Sequence, residues 1–220
     1  MAGYDLHGLN LPSKQVGGDY FDILRPADEV LLLTIADVSG KGMPAALLMA
    51  NLQAGLHILH GEDYPLDRLT QKLNELIFNN TSIEHFVTFF VLKLWPAQGR
   101  FEYVNAGHNP PYLLRSDGRL EELNEGGLIL GVVPQADYTI GQGRMEVGDV
   151  LTMYTDGVTE CLNVAEQEFS EQRLQEILLA NARRKSCRQL NELIVDRLRR
   201  FARNMPQTDD ITLLTIKRLS

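Results

Sequence analysis

Five aspartates recur in one local context, at the edge of an apolar run. Asp19 lies in "GGDYFD", Asp37 ends "LLLTIAD", Asp156 ends "VLTMYTDG", and the pair Asp209-Asp210 opens "DDITLLTI". Any one of these is explained by a turn or a cap. Several carboxylates converging on one site are costly unless cations neutralise them. The repetition therefore raises the expectation of a cation site. The donors on offer are oxygens, and no Cys/His set is spaced for zinc, so the ions implied are Mg²⁺ or Mn²⁺. Glycines beside the carboxylates, four of them in the stretch 16–42 alone, allow backbone to approach a metal, its waters or a phosphate closely.

The elements that must position these residues are legible from patterning. Val30 to Val38 ("VLLLTIADV") is too apolar to be half exposed and reads as a central strand covered on both faces. Gly40 and Gly42 end it, and Pro44 suits the first turn of a helix. That helix, to His60, is apolar nearly all round; Gln53, His57 and His60 leave only a narrow polar stripe. It must be covered by other elements or serve as a regulatory or dimerising surface. Pro65 to Asn80 is amphipathic, with Leu66, Leu69, Leu73, Leu76 and Ile77 at helical spacing. Strands follow: "HFVTFFVLKLW" and "GRFEYVNAG" around a Pro96–Gly99 turn, "PPYLLRSDGRLEEL" as a second hairpin, and further strands in "DYTIGQGRMEVGDVLTMYTDG" with Gly148-Asp149 as a turn. Two helices, Glu171 to about Arg184 and Cys187 to about Asn204, precede a last strand, "ITLLTIKR". Helix pairs alternating with two antiparallel strand sets predict an α+β fold: two stacked sheets, with helices on each outer face, a four-layer αββα sandwich.

Composition narrows the function. With 220 residues and 44% hydrophobic content, one domain with a substantial core is expected across 1–220. No apolar window spans a membrane and no signal segment is visible. The two cysteines, Cys161 and Cys187, form neither a metal motif nor a disulfide scaffold, which points to a reducing cytoplasm. A net charge of −8 argues against a general nucleic-acid binder. The basic runs "ARRKSCRQ" and "DRLRRFAR" read as solvated helix faces.

The stretches "VGGDYFD", "ADVSGKGMPAALLM", "FVTFFVLKL", "YVNAGHNPPYLL", "GLILGVVP", "LTMYTDGVTE" and "TDDITLLTIKR" resemble, in order, successive motifs of the PPM-type, protein phosphatase 2C-like family. They look most like its bacterial SpoIIE/RsbU branch, from about Tyr4 to Arg218. The resemblance implies a metal-dependent serine/threonine phosphatase with two Mn²⁺ or Mg²⁺ ions. Carried over motif by motif, Asp37 bridges both ions. Asp19 and the Val38 carbonyl help bind one, Asp156 and Asp209 bind the other, and Asp210 adjoins. A water shared by the ions then attacks phosphorus, and no phosphoenzyme is expected. Asp22 reads as a carboxylate supporting the ligands or as a turn residue. Asn105 and His108 in "NAGHNPP" occupy the place of a Gly-Asp motif linked to a further metal in eukaryotic relatives; His108 either orients substrate or protonates the leaving oxygen, or is a structural hydrogen-bonding residue. Ser39, Gly40 and Lys41 in the glycine loop, and Gly157, are candidates for substrate contacts. No arginine matches the phosphate-gripping one of eukaryotic members; Lys14 stands nearby instead. The branch further implies a phosphorylated anti-sigma-factor antagonist as substrate. It also implies an attached or separate sensor upstream, with a homodimer as one arrangement.

Other readings are weaker. "GGDYF" resembles the GG[DE]EF signature of diguanylate cyclases but has Tyr20 where that signature has glutamate. "SGKGMP" lacks the G-x-x-x-x-G-K-[ST] of a nucleotide loop and its metal-binding hydroxyl. The remaining rival is a catalytically silent domain of the same fold that binds a phosphoprotein or relays a signal.

Overall fold

A computed structural model describes residues 3–27, 29–61, 64–81, 85–203 and 205–220. In chain order the elements are β1 (Tyr4–Leu11), β2 (Tyr20–Ala27), β3 (Val30–Val38), α1 (Met43–Leu59), α2 (Leu66–Asn80), β4 (Val87–Trp95), β5 (Arg100–Ala106), β6 (Tyr112–Leu114) and β7 (Leu120–Glu122). They continue with β8 (Gly126–Gly127), β9 (Gly141–Arg144), β10 (Val150–Tyr154), α3 (Asp156–Thr159), α4 (Ser170–Asn181), α5 (Cys187–Ala202) and β11 (Ile211–Arg218). The Asn204 end expected for the last helix lies outside the described residues.

The chain forms two compact units, each assembled from separated segments. One comprises Lys14–Pro110 and Leu123–Arg144; the other comprises the segment up to Ser13, Pro111–Glu122 and Met145–Ser220. In the first, the strands run β2-β3-β4-β5-β8, with β9 also on β5. All pairs are antiparallel except β5 with β8. α1 and α2 cover one face of this sheet: Leu48, Leu52, Leu56, Leu69 and Leu73 pack with Leu32, Ala36, Val38 and Val91. Burying each such leucine contributes about 1.5–3 kcal/mol. Leu33 and Ile35, which alternate with those β3 residues, are also fully buried, as the apolar run requires.

In the second unit the order is β1-β11-β10-β6-β7, antiparallel throughout. α4 and α5 lie on this sheet through Leu174, Leu178, Leu190, Ile194 and Leu198. Ser186 and Gln189 form a reciprocal capping box that starts α5, supplying partners to otherwise orphaned N–H groups. Lys217 Nζ donates to the carbonyls of Ala182 and Arg183 just past α4, where a cation also opposes the helix dipole.

The expected Gly148-Asp149 turn is present, with the Asp149 N–H donating to the Glu146 carbonyl; the strands on either side pair elsewhere, β9 with β5 and β10 with β6 and β11. One local expectation changes: Asp156 does not end β10; it opens the short helix α3.

Candidate functional site

In the first unit, Asp37 is the penultimate residue of β3, opposite Thr88 on β4. Asp19 immediately precedes β2, whose first residue, Tyr20, faces Ala36. Side chains alternate along a strand. Tyr20, Ala36 and Val38 belong to the helix-covered cluster, so Asp37 projects from the opposite face. Asp19, next to Tyr20, is almost fully buried. Gly18 brings the two strands' main chains together: a Cβ there would meet the Val38 carbonyl oxygen at 3.0 Å and the Ala45 Cβ of α1 at 3.3 Å.

Thr88 was not singled out from sequence. Its hydroxyl reaches the Asp37 carbonyl at 3.4 Å and His108 Nδ1 at 2.9 Å. His108, 4% exposed, donates its backbone N–H to Asn105 Oδ1 at 2.7 Å, and Asn105 Nδ2 donates back to the His108 carbonyl at 3.0 Å. Asn105 thus shapes the "NAGHNPP" loop, and His108 joins that loop to the strand pair carrying Asp37. A lone threonine in the apolar "FVTFF" was the available signal. Ser39 extends the β3–β4 pairing: its N–H donates to the Phe86 carbonyl and its Oγ accepts from the Phe86 N–H. Gly40 and Gly42 hold φ of +92° and +81°, a region that disfavours other residues. Lys41 between them is exposed.

In the second unit, Asp156 opens α3, and Asp209-Asp210 precede β11. The main chains meet at Gly157, where a Cβ would lie 1.9 Å from the Asp210 carbonyl oxygen and 3.4 Å from the Asp209 Cβ. Thr155 reinforces this contact: its N–H donates to the Thr212 carbonyl and its Oγ1 accepts from the Thr212 N–H. Asp210, buried, accepts the Ser13 N–H at 2.6 Å. Gln207 Nε2 donates to both the Leu11 and Asp209 carbonyls. The Asp156 and Asp209 positions are therefore neighbours fixed by main-chain packing.

Asp22 goes elsewhere. It pairs with Thr34, on the helix-covered face of the sheet and away from Asp37. Tyr20 Oη donates to Asp22 Oδ2 at 2.6 Å, His57 Nε2 lies 2.7 Å from the same oxygen, and the Ile23 N–H donates to Oδ1 at 2.7 Å. Burial alone would raise the Asp22 pKa, but these hydrogen bonds and the His57 partner outweigh it and hold the carboxyl below its ordinary value.

The donors of each unit suit hard cations. Asp19, Asp37 and the Val38 carbonyl in the first unit, and Asp156 and Asp209 in the second, offer oxygen only. Among the described residues, no group of three or more His, Cys, Asp or Glu side chains stands ready for a metal. Ions that retain several waters and bind through one or two carboxylates each, as Mg²⁺ does, fit such donors better than zinc.

The family model of Stage II sporulation protein E (SpoIIE) matches residues 27–219. The chain belongs to the SpoIIE family. The matched span includes Asp37, Asp156 and Asp209. Phosphoserine phosphatase RsbU of Bacillus subtilis is 29% identical over 215 residues, covering 97% of this chain and 63% of RsbU. The chain spans 38% to 63% of the length of the curated relatives that it matches nearly end to end. Among solved structures, the RsbU and RsbW domains of Rv1364c from Mycobacterium tuberculosis align with a TM-score of 0.84 at 24% identity, over 99% of this chain and 60% of that one. The catalytic domain of the serine/threonine protein phosphatase PstP, solved with two manganese ions, aligns at 0.66 and 17% identity over 99% of this chain and all of that one. These likenesses show the fold, and the α+β class expected for this SpoIIE-family chain is borne out.

Proposed function

We propose that this SpoIIE-family chain is a metal-dependent protein phosphatase that hydrolyses phosphoserine or phosphothreonine. The observation that carries the reading is the family match, together with the aspartates kept at each motif position: Asp37, Asp156 and Asp209 inside the matched span and Asp19 just before it. Asp19, Asp37 and the Val38 carbonyl, with Asp156 and Asp209, would hold two Mn²⁺ or Mg²⁺ ions. Such ions, when bound, supply a nucleophilic water near neutral pH and offset charge developing on the phosphoryl oxygens.

The chain's own residues do the positioning. Main-chain contacts at Gly18 and Gly157 set the spacing of each carboxylate pair, and Thr88 and Asn105 fix His108 beside the Asp37 strand. A thiol nucleophile is disfavoured. Cys187 is buried, its thiol donates to the Asp5 carbonyl, and burial pushes its pKa up; burial raises that of Cys161 as well.

The substrate proposed is a phosphorylated anti-sigma-factor antagonist, in keeping with the likeness to RsbU. The chain then acts as the output module of a longer regulated protein in the cytoplasm. Its coverage of only part of its relatives supports that arrangement. So does α1, which leaves Met43, Leu47 and Ile58 exposed as a surface for a sensor or a second copy. No helix among the described residues is long and apolar enough to cross a membrane.

The test is Mn²⁺-dependent phosphate release from a panel of phosphorylated antagonist proteins, with Asp37→Ala as control. Turnover that requires Mn²⁺ and is lost in the variant is expected. Metal-independent turnover, or full activity of the variant, overturns the assignment. Binding of phosphoprotein without turnover returns the silent-domain reading.

A further inference from the structure

Asp19 stands just before β2, an edge strand that among the described residues pairs with β3 alone, and residues 12–19 form no regular element. The carboxylate therefore lies where an irregular segment meets the first paired residue of that edge.

A side-chain array reinforces this end. Asp22 Oδ2 gathers the Tyr20 hydroxyl at 2.6 Å and His57 Nε2 at 2.7 Å, while Oδ1 takes the Ile23 N–H at 2.7 Å. His57 belongs to the last turn of α1, and His60 Nδ1 lies 2.9 Å from the His57 carbonyl. The first turn of the same helix reaches the segment before β2 at Gly18 through Ala45. α1 therefore meets the chain to either side of Asp19, at Gly18 before β2 and at Asp22 within it. Between these points its contacts are apolar, through Leu48, Leu52 and Leu56. Apolar contact is non-directional and sets separation more than register. Hydrogen bonds to an ionised carboxylate are directional and about twice as strong as neutral ones.

We propose that Asp22 and His57 are positioning residues that fix the start of β2 so that Asp19 is held ready for its cation. They act from the helix side of the sheet, opposite the face from which Asp37 projects. The inference rests on the metal-dependent reading above.

The experiment measures Mn²⁺ binding to the chain by titration calorimetry without substrate, and then phosphate release against Mn²⁺ concentration. In His57→Ala and Asp22→Asn, Mn²⁺ affinity should fall about tenfold, as when partners of metal ligands are removed elsewhere. The rate at saturating Mn²⁺ should stay within about twofold of wild type. His57→Gln, which keeps a side-chain N–H donor, should recover most of the affinity. Thermal unfolding in chelator separates affinity from stability, and His57, with 45% of its side chain exposed, can be truncated with little loss of packing. If Asp22→Asn does not fold, His57→Ala decides. Unchanged Mn²⁺ affinity in the variants, or a loss that His57→Gln does not recover, overturns the positioning role while wild-type binding leaves the metal reading standing. A wild-type chain that binds no Mn²⁺ overturns both.

Discussion

Replacing Gly157 by alanine sets one methyl group against the main chain that leads into β11. A Cβ at this position would lie 1.9 Å from the Asp210 carbonyl oxygen and 3.0 Å from its carbonyl carbon. Cβ contacts under 3.0 Å are essentially never seen, so α3 and the Asp209-Asp210 segment must separate by 3.0 − 1.9 = 1.1 Å. The obstacle is backbone and cannot rotate aside as a side chain would. Overpacking of this kind costs about 1–3 kcal/mol. The helical preference of alanine works the other way by about 1 kcal/mol, so a net loss of up to about 2 kcal/mol remains. For a chain of this size that lowers the melting temperature by up to about 8 °C. Activity should suffer more, because the separation moves Asp156 away from Asp209, and a misplacement of about 1 Å can cost on the order of 100-fold in rate. Thermal unfolding and Mn²⁺-dependent phosphate release measure the two effects. Gly61→Ala is the control, since a Cβ there would meet nothing within 4 Å. A Gly157→Ala protein that unfolds within about 0.5 kcal/mol of wild type and keeps full activity refutes the reasoning.

Asn105→Ala should cost roughly 2–4 kcal/mol in urea unfolding, because it strips partners from the backbone groups of His108 and Leu123 in a buried site; a loss under about 1 kcal/mol contradicts the loop-shaping role. Asp22 has a folded pKa below its ordinary value of 3.8, so its ionised form stabilises the native state above that pH, and the contribution disappears as pH falls through the lower folded value. The stability gap between wild type and Asp22→Asn should therefore hold steady above about pH 5 and narrow below 3.8, and a gap that widens on acidification contradicts it.

Much of this arrangement is readable in the chain because burial writes itself into strand composition. Val30–Val38 is apolar at both alternating sets and is buried on both, so its bounds match the expected strand. The final strand, Ile211–Arg218, is equally plain. What periodicity cannot carry is partner choice: β9 and β10 share one stretch of sequence yet join different sheets, since pairing depends on which edges the rest of the fold leaves open. The four-residue α3 is too short to show a helical period, so Asp156 reads as the end of a strand when it opens a helix. The Gln53, His57 and His60 stripe is visible on α1, but its purpose is not. The carboxylate that His57 meets is 35 positions away, and only the packing of helix on sheet brings them together.

In each unit a main-chain contact at a glycine brings the two carboxylate-bearing segments together. In the first unit a glycine precedes Asp19 and abuts the Val38 carbonyl next to Asp37; in the second a glycine follows Asp156 and abuts the Asp210 carbonyl next to Asp209. Each pair is spaced by main chain against main chain, at the ends of elements that pack into apolar cores. A rotamer change can shift a carboxylate at a cost on the order of 1 kcal/mol, whereas separating packed backbones disturbs the core behind them. For the cations proposed above, spacing set in this way would exist before binding, so less of an ion's binding free energy would go into ordering its donors. The same reasoning explains why polar residues near the aspartates, Ser39, Thr88 and Asn105 in the first unit and Thr155 in the second, have hydrogen-bonding ties to main chain. They hold the backbone that holds the aspartates.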